Sequence, residues 1–83
     1  MNITLKLYAS LSEFLPAGAV ENTVQIEVPE RCSLNEVIDH YRVPRRLAHL
    51  VLINGHFIEE SQRDDPMLKE GDALAIWPPV AGG

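Results

Sequence analysis

The chain has 83 residues, a length that predicts a single domain. Of these residues 46% are hydrophobic and 23% charged, the proportions of an ordinary globular protein, which argues against a disordered chain. Twelve acidic residues against seven basic ones give a formal net charge of -5, which argues against a nucleic-acid partner because phosphate contacts need a concentrated basic surface. No apolar run reaches the ~18 residues of a bilayer-spanning helix, and the single cysteine leaves no internal disulfide, so we expect a cytoplasmic protein with no membrane partner.

Two strands are predicted in the amino-terminal third of the chain. Residues 3–8 alternate between aliphatic and other side chains, which is the period of a strand with one buried face. Residues 23–28 show the same alternation until Pro29. Residues 9–14 are predicted to form a short helical turn between them. The two strands are therefore expected to form a hairpin with a wide loop.

One full helix is predicted after the second strand. The Ser33 hydroxyl and the Glu36 carboxylate have the spacing of a capping box, which marks a helix start, and Pro44 is predicted to end the helix. The apolar stripe predicted to pack on a sheet consists of Leu34, Val37, Ile38 and Tyr41. The side chains predicted to face water are those of Asn35, Asp39 and Arg42.

The carboxyl-terminal half predicts three more strands. Residues 49–53 are rich in branched apolar side chains, and Asn54-Gly55 is a strong signal for a two-residue hairpin turn into a short strand at 57–58. Residues 64–70 have room for only about one helical turn around Pro66. The last strand is predicted at 73–77.

This order of elements predicts an α+β fold. The mixed sheet would have four to five strands, with one main helix packed on one face. A ferredoxin-like arrangement needs a second full helix before the last strand, and the segment around Pro66 is too short for it. The order fits a β-grasp arrangement better.

The end of the chain is the segment most suggestive of function. Two prolines after Trp77 remove two backbone donors, so the sheet is expected to stop there and residues 78–83 to form an extended, flexible tail. No side chain from Ala73 onward ionises, and Gly82 and Gly83 carry no β-carbon, so a partner's backbone can approach them closely. The reactive group of this tail is the Gly83 carboxylate. The alternative interpretation is an ordinary frayed terminus.

Three stretches carry a resemblance to a known family: Asn54-Gly55, residues 68–72 (Leu-Lys-Glu-Gly-Asp) and residues 78–83 (Pro-Pro-Val-Ala-Gly-Gly). With the order of elements, they make the whole chain resemble the ubiquitin-like sulfur carriers, which include the small subunit of molybdopterin synthase and the thiazole-synthesis carrier of the thiamine pathway. An aromatic residue before the prolines, here Trp77, makes the ending more similar to the molybdopterin branch.

The resemblance implies a carrier that is not an enzyme by itself. A ubiquitin-activating-type partner would use ATP to adenylate Gly83, which would then become a thiocarboxylate that passes its sulfur on; the carrier itself would bind no cofactor. The partners implied are this adenylating enzyme and a larger synthase subunit or another sulfur acceptor. The residues implied to insert into a partner are Pro78, Pro79, Val80, Ala81 and Gly82.

Aromatic residues next to the tail are candidates for partner contacts. Strand alternation places Trp77 opposite Ile76, and Tyr8 opposite Leu7, so both aromatic side chains are expected on the sheet face away from the helix. Phe57 would join them if the register of its strand allows. The alternative for this trio is ordinary packing under a loop.

Other chemically capable residues do not form a site in the sequence. His40, His49 and His56 lack the spacing of metal ligands, so no metal site is predicted. Cys32 has no base patterned beside it and is interpreted as structural.

Three hypotheses about function stay open at this point. The first is a sulfur carrier, most similar to the small subunit of a molybdopterin synthase, with the thiamine pathway or another pathway as the alternative acceptor. The second is a ubiquitin-like modifier that forms isopeptide bonds through Gly83. The third is a β-grasp interaction module with an inert tail.

Overall fold

The computed structural model describes residues 1–80. Within these residues the chain forms five strands and one α-helix, in the order β1 Asn2–Leu7, β2 Thr23–Glu27, α1 Leu34–His40, β3 Leu50–Ile53, β4 His56–Phe57 and β5 Ala73–Trp77. Three short 3-10 helices cover Ala9–Phe14, Arg45–Leu47 and Glu60–Gln62. No helix in this part of the chain is long and apolar enough to cross a membrane.

The five strands form one mixed sheet in the order β2-β1-β5-β3-β4. Strand β1 pairs in parallel with β5 and antiparallel with β2, while β3 pairs antiparallel with both β5 and β4. The edge strands are therefore β2 and β4, and the inner strands are β1, β5 and β3, with β5 at the centre. The predicted α+β, β-grasp architecture and the wide β1–β2 hairpin are both confirmed.

The core lies between the sheet and α1. Every second residue of the inner strands is buried against the helix, as the alternation predicted; for a fully buried Leu or Ile, this contributes roughly 1.5–3 kcal/mol relative to exposure. The largest fully buried side chains are those of Ile3, Leu5, Leu7, Leu11, Leu34, Ile38, Leu74 and Ile76.

The two ends of α1 are set by local hydrogen bonds. At the start, the Ser33 hydroxyl accepts from the Glu36 N–H at 3.1 Å, as predicted. At the end, Arg42 has φ +62°, and the N–H groups of Arg42 and Val43 donate to Asp39 and Ile38 at 3.0 Å each. This is a Schellman motif. The prediction that Pro44 ends the helix was wrong, because the left-handed Arg42 ends it first.

One residue predicted to face water is buried. Asn35 lies at the start of α1, where its amide donates to Asp64 Oδ1 at 2.9 Å and its backbone N–H donates to the Arg63 carbonyl at 3.0 Å. The loop after β4 covers this end of the helix. Asp39 is exposed, as predicted, and two hydrogen bonds from Arg45 lower the pKa of its carboxyl group.

The helical turn predicted at 64–70 lies earlier in the chain. The 3-10 turn covers Glu60–Gln62, and residues 64–70 contain no helix. Pro66 accounts for this shift, because a proline disfavours helical conformation in the residue before it and provides no N–H.

The Asn54-Gly55 turn is connected to the start of β5. Both residues have positive φ, +51° and +84°, as a type I′ hairpin turn requires. The Asn54 side chain donates to Asp72 Oδ1 and accepts from the Ala73 N–H, both at 2.9 Å. Two of the three stretches that carried the family resemblance therefore contact each other and hold the start of the last strand.

Candidate functional site

The candidate site begins where β5 ends. The Trp77 carbonyl accepts from the His49 N–H at 3.0 Å, and the Ile76 carbonyl accepts from the Tyr8 N–H at 3.1 Å. Among residues 1–80, no backbone hydrogen bond outside the regular elements involves Pro78, Pro79 or Val80. The sheet stops at Trp77 as predicted, because the two following prolines have no N–H to continue the ladder.

Tyr8 and Trp77 form a stacked pair beside this exit point. The parallel register pairs Leu7 with Ile76, so the next residue on each strand lies on the face away from α1. Their ring centroids are 4.3 Å apart and the rings are inclined by 6°. The prediction that the two aromatics share this face is confirmed, but each is half-buried because the partner ring covers it.

The stacked pair belongs to a larger apolar surface. Leu50 pairs with Trp77, and Leu52 pairs with Ala75 on one side and Phe57 on the other. The register therefore places Phe57, which is 57% exposed, on the same face as Trp77, with β3 between them. We define the apolar face as Tyr8, Leu50, Leu52, Phe57, Ala75 and Trp77. Its role in binding a partner stays a prediction.

The sequence analysis did not identify Leu50 and Leu52 as surface residues. Their neighbours Val51 and Ile53 are buried in the core, so β3 does alternate between two environments. All four residues are aliphatic, however, and an uninterrupted apolar run conceals the period of two. Trp77 gave an indirect signal for these two residues, because an aromatic side chain on that face packs favourably against apolar side chains on the neighbouring strand.

Part of the predicted tail lies within the described residues. Pro78 is half-buried and Pro79 is exposed, and Val80 is 74% exposed. Ala81, Gly82 and Gly83 lie outside the described residues. The extended, flexible tail at 78–83 and the roles of its residues therefore stay predictions.

The single thiol lies away from this site, beside the helix start. Cys32 is buried, and its Sγ contacts the Ser33 carbonyl at 3.5 Å. Burial raises the pKa of the Cys32 thiol, and the Glu36 carboxylate raises it further. The thiol therefore stays protonated at neutral pH and is a poor nucleophile, which supports the structural interpretation.

Comparison with known proteins identifies the family. The ThiS family model matches residues 5–83. This chain belongs to the ThiS family. The match covers the candidate site and the Gly-Gly end, and it confirms the resemblance to ubiquitin-like sulfur carriers.

Two kinds of relative match this chain over its whole length. Molybdopterin synthase sulfur carrier subunits from Drosophila melanogaster and Drosophila sechellia are 30% identical over 87 aligned positions, covering 100% of this chain and 92% of each relative. Among solved structures, SAMP1 from Haloferax volcanii is 27% identical, with a TM-score of 0.68 and full coverage of both chains. A chain from the complex of subunits 1 and 2 of molybdopterin-converting factor from Helicobacter pylori is 22% identical, with a TM-score of 0.60 and full coverage of both chains, and shows the fold alone.

The curated relatives also bear on catalysis. Both Drosophila proteins are sulfur carrier subunits, which agrees with the expectation that this chain is not an enzyme by itself.

Proposed function

We propose that this ThiS-family protein carries sulfur as a thiocarboxylate on Gly83 and acts as the small subunit of a molybdopterin synthase-type complex. The observation that carries the proposal is that the ThiS family match includes the Gly82-Gly83 pair. The 30% identity to molybdopterin synthase sulfur carrier subunits supports the choice of pathway.

The proposed chemistry replaces one carboxylate oxygen by sulfur. A Gly83 oxygen attacks the α-phosphate of ATP in a ubiquitin-activating-type partner, and pyrophosphate leaves. Sulfide then attacks the acyl-adenylate carbon and AMP leaves with the original oxygen, so the product is a thiocarboxylate. A carboxylate needs this activation because its own oxygen is a poor leaving group. ATP belongs to the partner's chemistry, and the carrier binds no cofactor.

The composition of the tail suits this chemistry. No side chain from Ala73 to Gly83 ionises, so the tail can enter a water-excluded channel without the large cost of removing a charged side chain from water. Gly82 and Gly83 present only backbone width at the reacting end. Pro78 and Pro79 favour an extended path over a compact one.

The apolar face suits the docking of the partner. Trp77 and Tyr8 lie at the base of the tail, and Phe57 is the most exposed aromatic on the same face. Large aromatic side chains on an exposed apolar surface are favoured anchors for a partner. The partners proposed are the adenylating enzyme and a larger synthase subunit, and the two-subunit complex known from Helicobacter pylori supports the latter.

The test is the intact mass of the protein after incubation with a ubiquitin-activating-type enzyme, ATP and sulfide. We expect a mass gain equal to the exchange of one oxygen for sulfur, and no gain for a variant that lacks Gly83. No gain with several candidate activating enzymes, combined with protection of the tail in a stable complex, would favour an interaction module instead. Sulfur transfer to the large subunit of molybdopterin synthase, compared with transfer to a thiazole-forming enzyme, separates the two pathways.

A second candidate function is protein modification through Gly83. It is supported by the 27% identity to SAMP1 from Haloferax volcanii, since the SAMP1 of Methanosarcina acetivorans is named a small archaeal modifier protein. A modifier would form covalent conjugates that survive a denaturing gel and disappear when Gly83 is deleted. Thiocarboxylate formation without such conjugates would leave the carrier function alone.

A further inference from the structure

Arg63 is a buried cation without an ionic partner. It follows the 3-10 turn Glu60–Gln62, and only 5% of the residue is exposed. The one salt bridge among residues 1–80 joins Arg45 to Asp39 and does not include Arg63. Its Nε is buried and has no hydrogen-bond partner within the described part of the chain. Burying a guanidinium in this way opposes folding, so the contacts that Arg63 does make call for an explanation.

The guanidinium binds the segment that leads into β3. Arg63 Nη1 donates to the Ala48 carbonyl at 2.6 Å, and Nη2 donates to the His49 carbonyl at 3.2 Å. The planar group thus fixes two successive carbonyls at once, which a lysine cannot do with the same geometry. The carbonyl of Arg63 also accepts from Asn35 at the start of α1, so the arginine is itself held from both sides.

The segment bound by Arg63 forms the last backbone hydrogen bond along β5. In this bond the His49 N–H donates to the Trp77 carbonyl at 3.0 Å, and residues 78–80 form no backbone hydrogen bond within the described part of the chain. A series of hydrogen bonds therefore connects the Arg63 side chain, through the backbone of Ala48 and His49, to the Trp77 carbonyl. This series ends at the point where the tail leaves the sheet.

We infer that Arg63 is a positioning residue for the tail. By fixing the Ala48 and His49 carbonyls it fixes the His49 N–H, which sets the orientation of the Trp77 carbonyl and the direction in which Pro78 departs. A buried polar group that opposes stability can be retained because it specifies one geometry. The inference rests on the proposed function, because the direction of the tail matters for delivering Gly83 to a partner.

The test compares two Arg63 variants with a matched control. Arg63→Met removes the donors but keeps a long apolar side chain, and Arg63→Lys keeps the charge but loses the paired donors. Arg46→Met is the control. Arg46 is an exposed arginine that lines one surface groove together with Arg63, and its replacement by methionine removes the same charge. The lysine variant also keeps the test decisive if the methionine variant does not fold.

The first readout is amide hydrogen exchange, which does not depend on any partner. The reference is the Thr4 N–H, which donates to the Asp72 carbonyl at the opposite end of β5. In Arg63→Met, exchange at His49 is expected to accelerate by about tenfold or more relative to Thr4, the effect of losing a hydrogen bond to a charged group. Equal acceleration at both amides would mean general destabilisation and would overturn the inference.

The second readout is the tail itself. Residual dipolar coupling of the Val80 N–H reports the direction of the tail, and thiocarboxylate formation reports its delivery. Arg63→Met is expected to change this coupling. With the variant as substrate, the kcat of the activating enzyme should fall about tenfold because the reacting group is misplaced. Its KM for the variant should stay within about twofold of the wild-type value because the apolar face is intact. Arg63→Lys should fall between Arg63→Met and wild type, and Arg46→Met should match wild type.

The outcomes separate the inference from the proposed function. Faster exchange at His49 with an unchanged Val80 coupling would show that the effect of Arg63 stops within the sheet, and the inference would be wrong. If the wild-type protein forms no thiocarboxylate, the proposed function fails, while the exchange rates and the Val80 coupling still decide whether Arg63 positions the tail.

Discussion

Replacing Trp77 by alanine separates the two roles available to the apolar face. If Trp77 is mainly a packing residue, its removal lowers stability; if it is an anchor for a partner, its removal lowers affinity more. The structure places Trp77 half-buried, stacked on Tyr8 at 4.3 Å. Its indole is thus available to a partner without leaving the sheet.

The two expected effects of Trp77→Ala can be given magnitudes. Because the indole is half-buried, we expect a loss of about 1.5–2.5 kcal/mol in the free energy of unfolding, half of the 3–5 kcal/mol of a fully buried tryptophan, and this includes about 0.5–1.5 kcal/mol for the stacking with Tyr8. An aromatic anchor at an interface contributes about 2 kcal/mol or more, which corresponds to a rise in Kd of about thirtyfold.

Urea unfolding and calorimetric titration with the activating enzyme measure the two effects. Tyr8→Ala and the double variant isolate the stacking energy between the rings. Leu68→Ala is the matched control: Leu68 is buried in the core, so we expect a loss of about 2–5 kcal/mol in stability with unchanged affinity of the folded protein. A Trp77→Ala variant that loses more unfolding free energy than binding free energy would refute the anchor role.

Three further predictions concern the tail, the end of α1 and the thiol. Gly82→Val is expected to block thiocarboxylate formation, measured by intact mass, while the urea midpoint of unfolding stays that of wild type. The control Ala17→Val, on an exposed loop, should react normally. If Gly82→Val is activated, the partner's channel is not narrow enough to require glycine there. Arg42→Gly should raise the unfolding free energy by about 0.5–1 kcal/mol because φ is +62° there, whereas Arg42→Ala, which keeps the strain, should not. The free energy of unfolding, measured by urea unfolding, should fall as pH rises above the ordinary thiol pKa. The pKa of Cys32 is raised in the folded protein, so the unfolded chain loses the thiol proton at a lower pH than the folded chain does. Cys32→Ala should make this decline shallower and leave the contribution of Tyr41, whose pKa is also raised by burial.

The features that the sequence predicted correctly are encoded within a few neighbouring residues. The alternation in β1 and β2, the Ser33 cap and the Asn54-Gly55 turn each depend on local backbone chemistry. Their number and order then leave few arrangements that bury one helix against one sheet. This is why the β-grasp architecture could be predicted without knowledge of any long-range contact.

The features that the sequence did not predict depend on distant segments. Asn35 occupies a polar position on α1, and only its contact with Asp64, 29 residues away, explains its burial. Arg63 reads as one charge in an acidic loop, yet it binds the carbonyls of Ala48 and His49. In the same way, Arg42 adopts a left-handed conformation that glycine usually occupies, so its residue type gave no helix-end signal.

The topology gives a physical reason why the tail and the fold can be altered independently. Strand β5 is bonded on both sides, to β1 and β3, so the chain reaches Trp77 from the centre of the sheet. Beyond that residue, 78–80 add no backbone hydrogen bond and both Pro79 and Val80 are exposed, so we expect little folding energy to depend on them. A change in the tail should therefore alter its chemistry while the sheet stays intact, whereas a change in β5 should affect both stability and the starting direction of the tail.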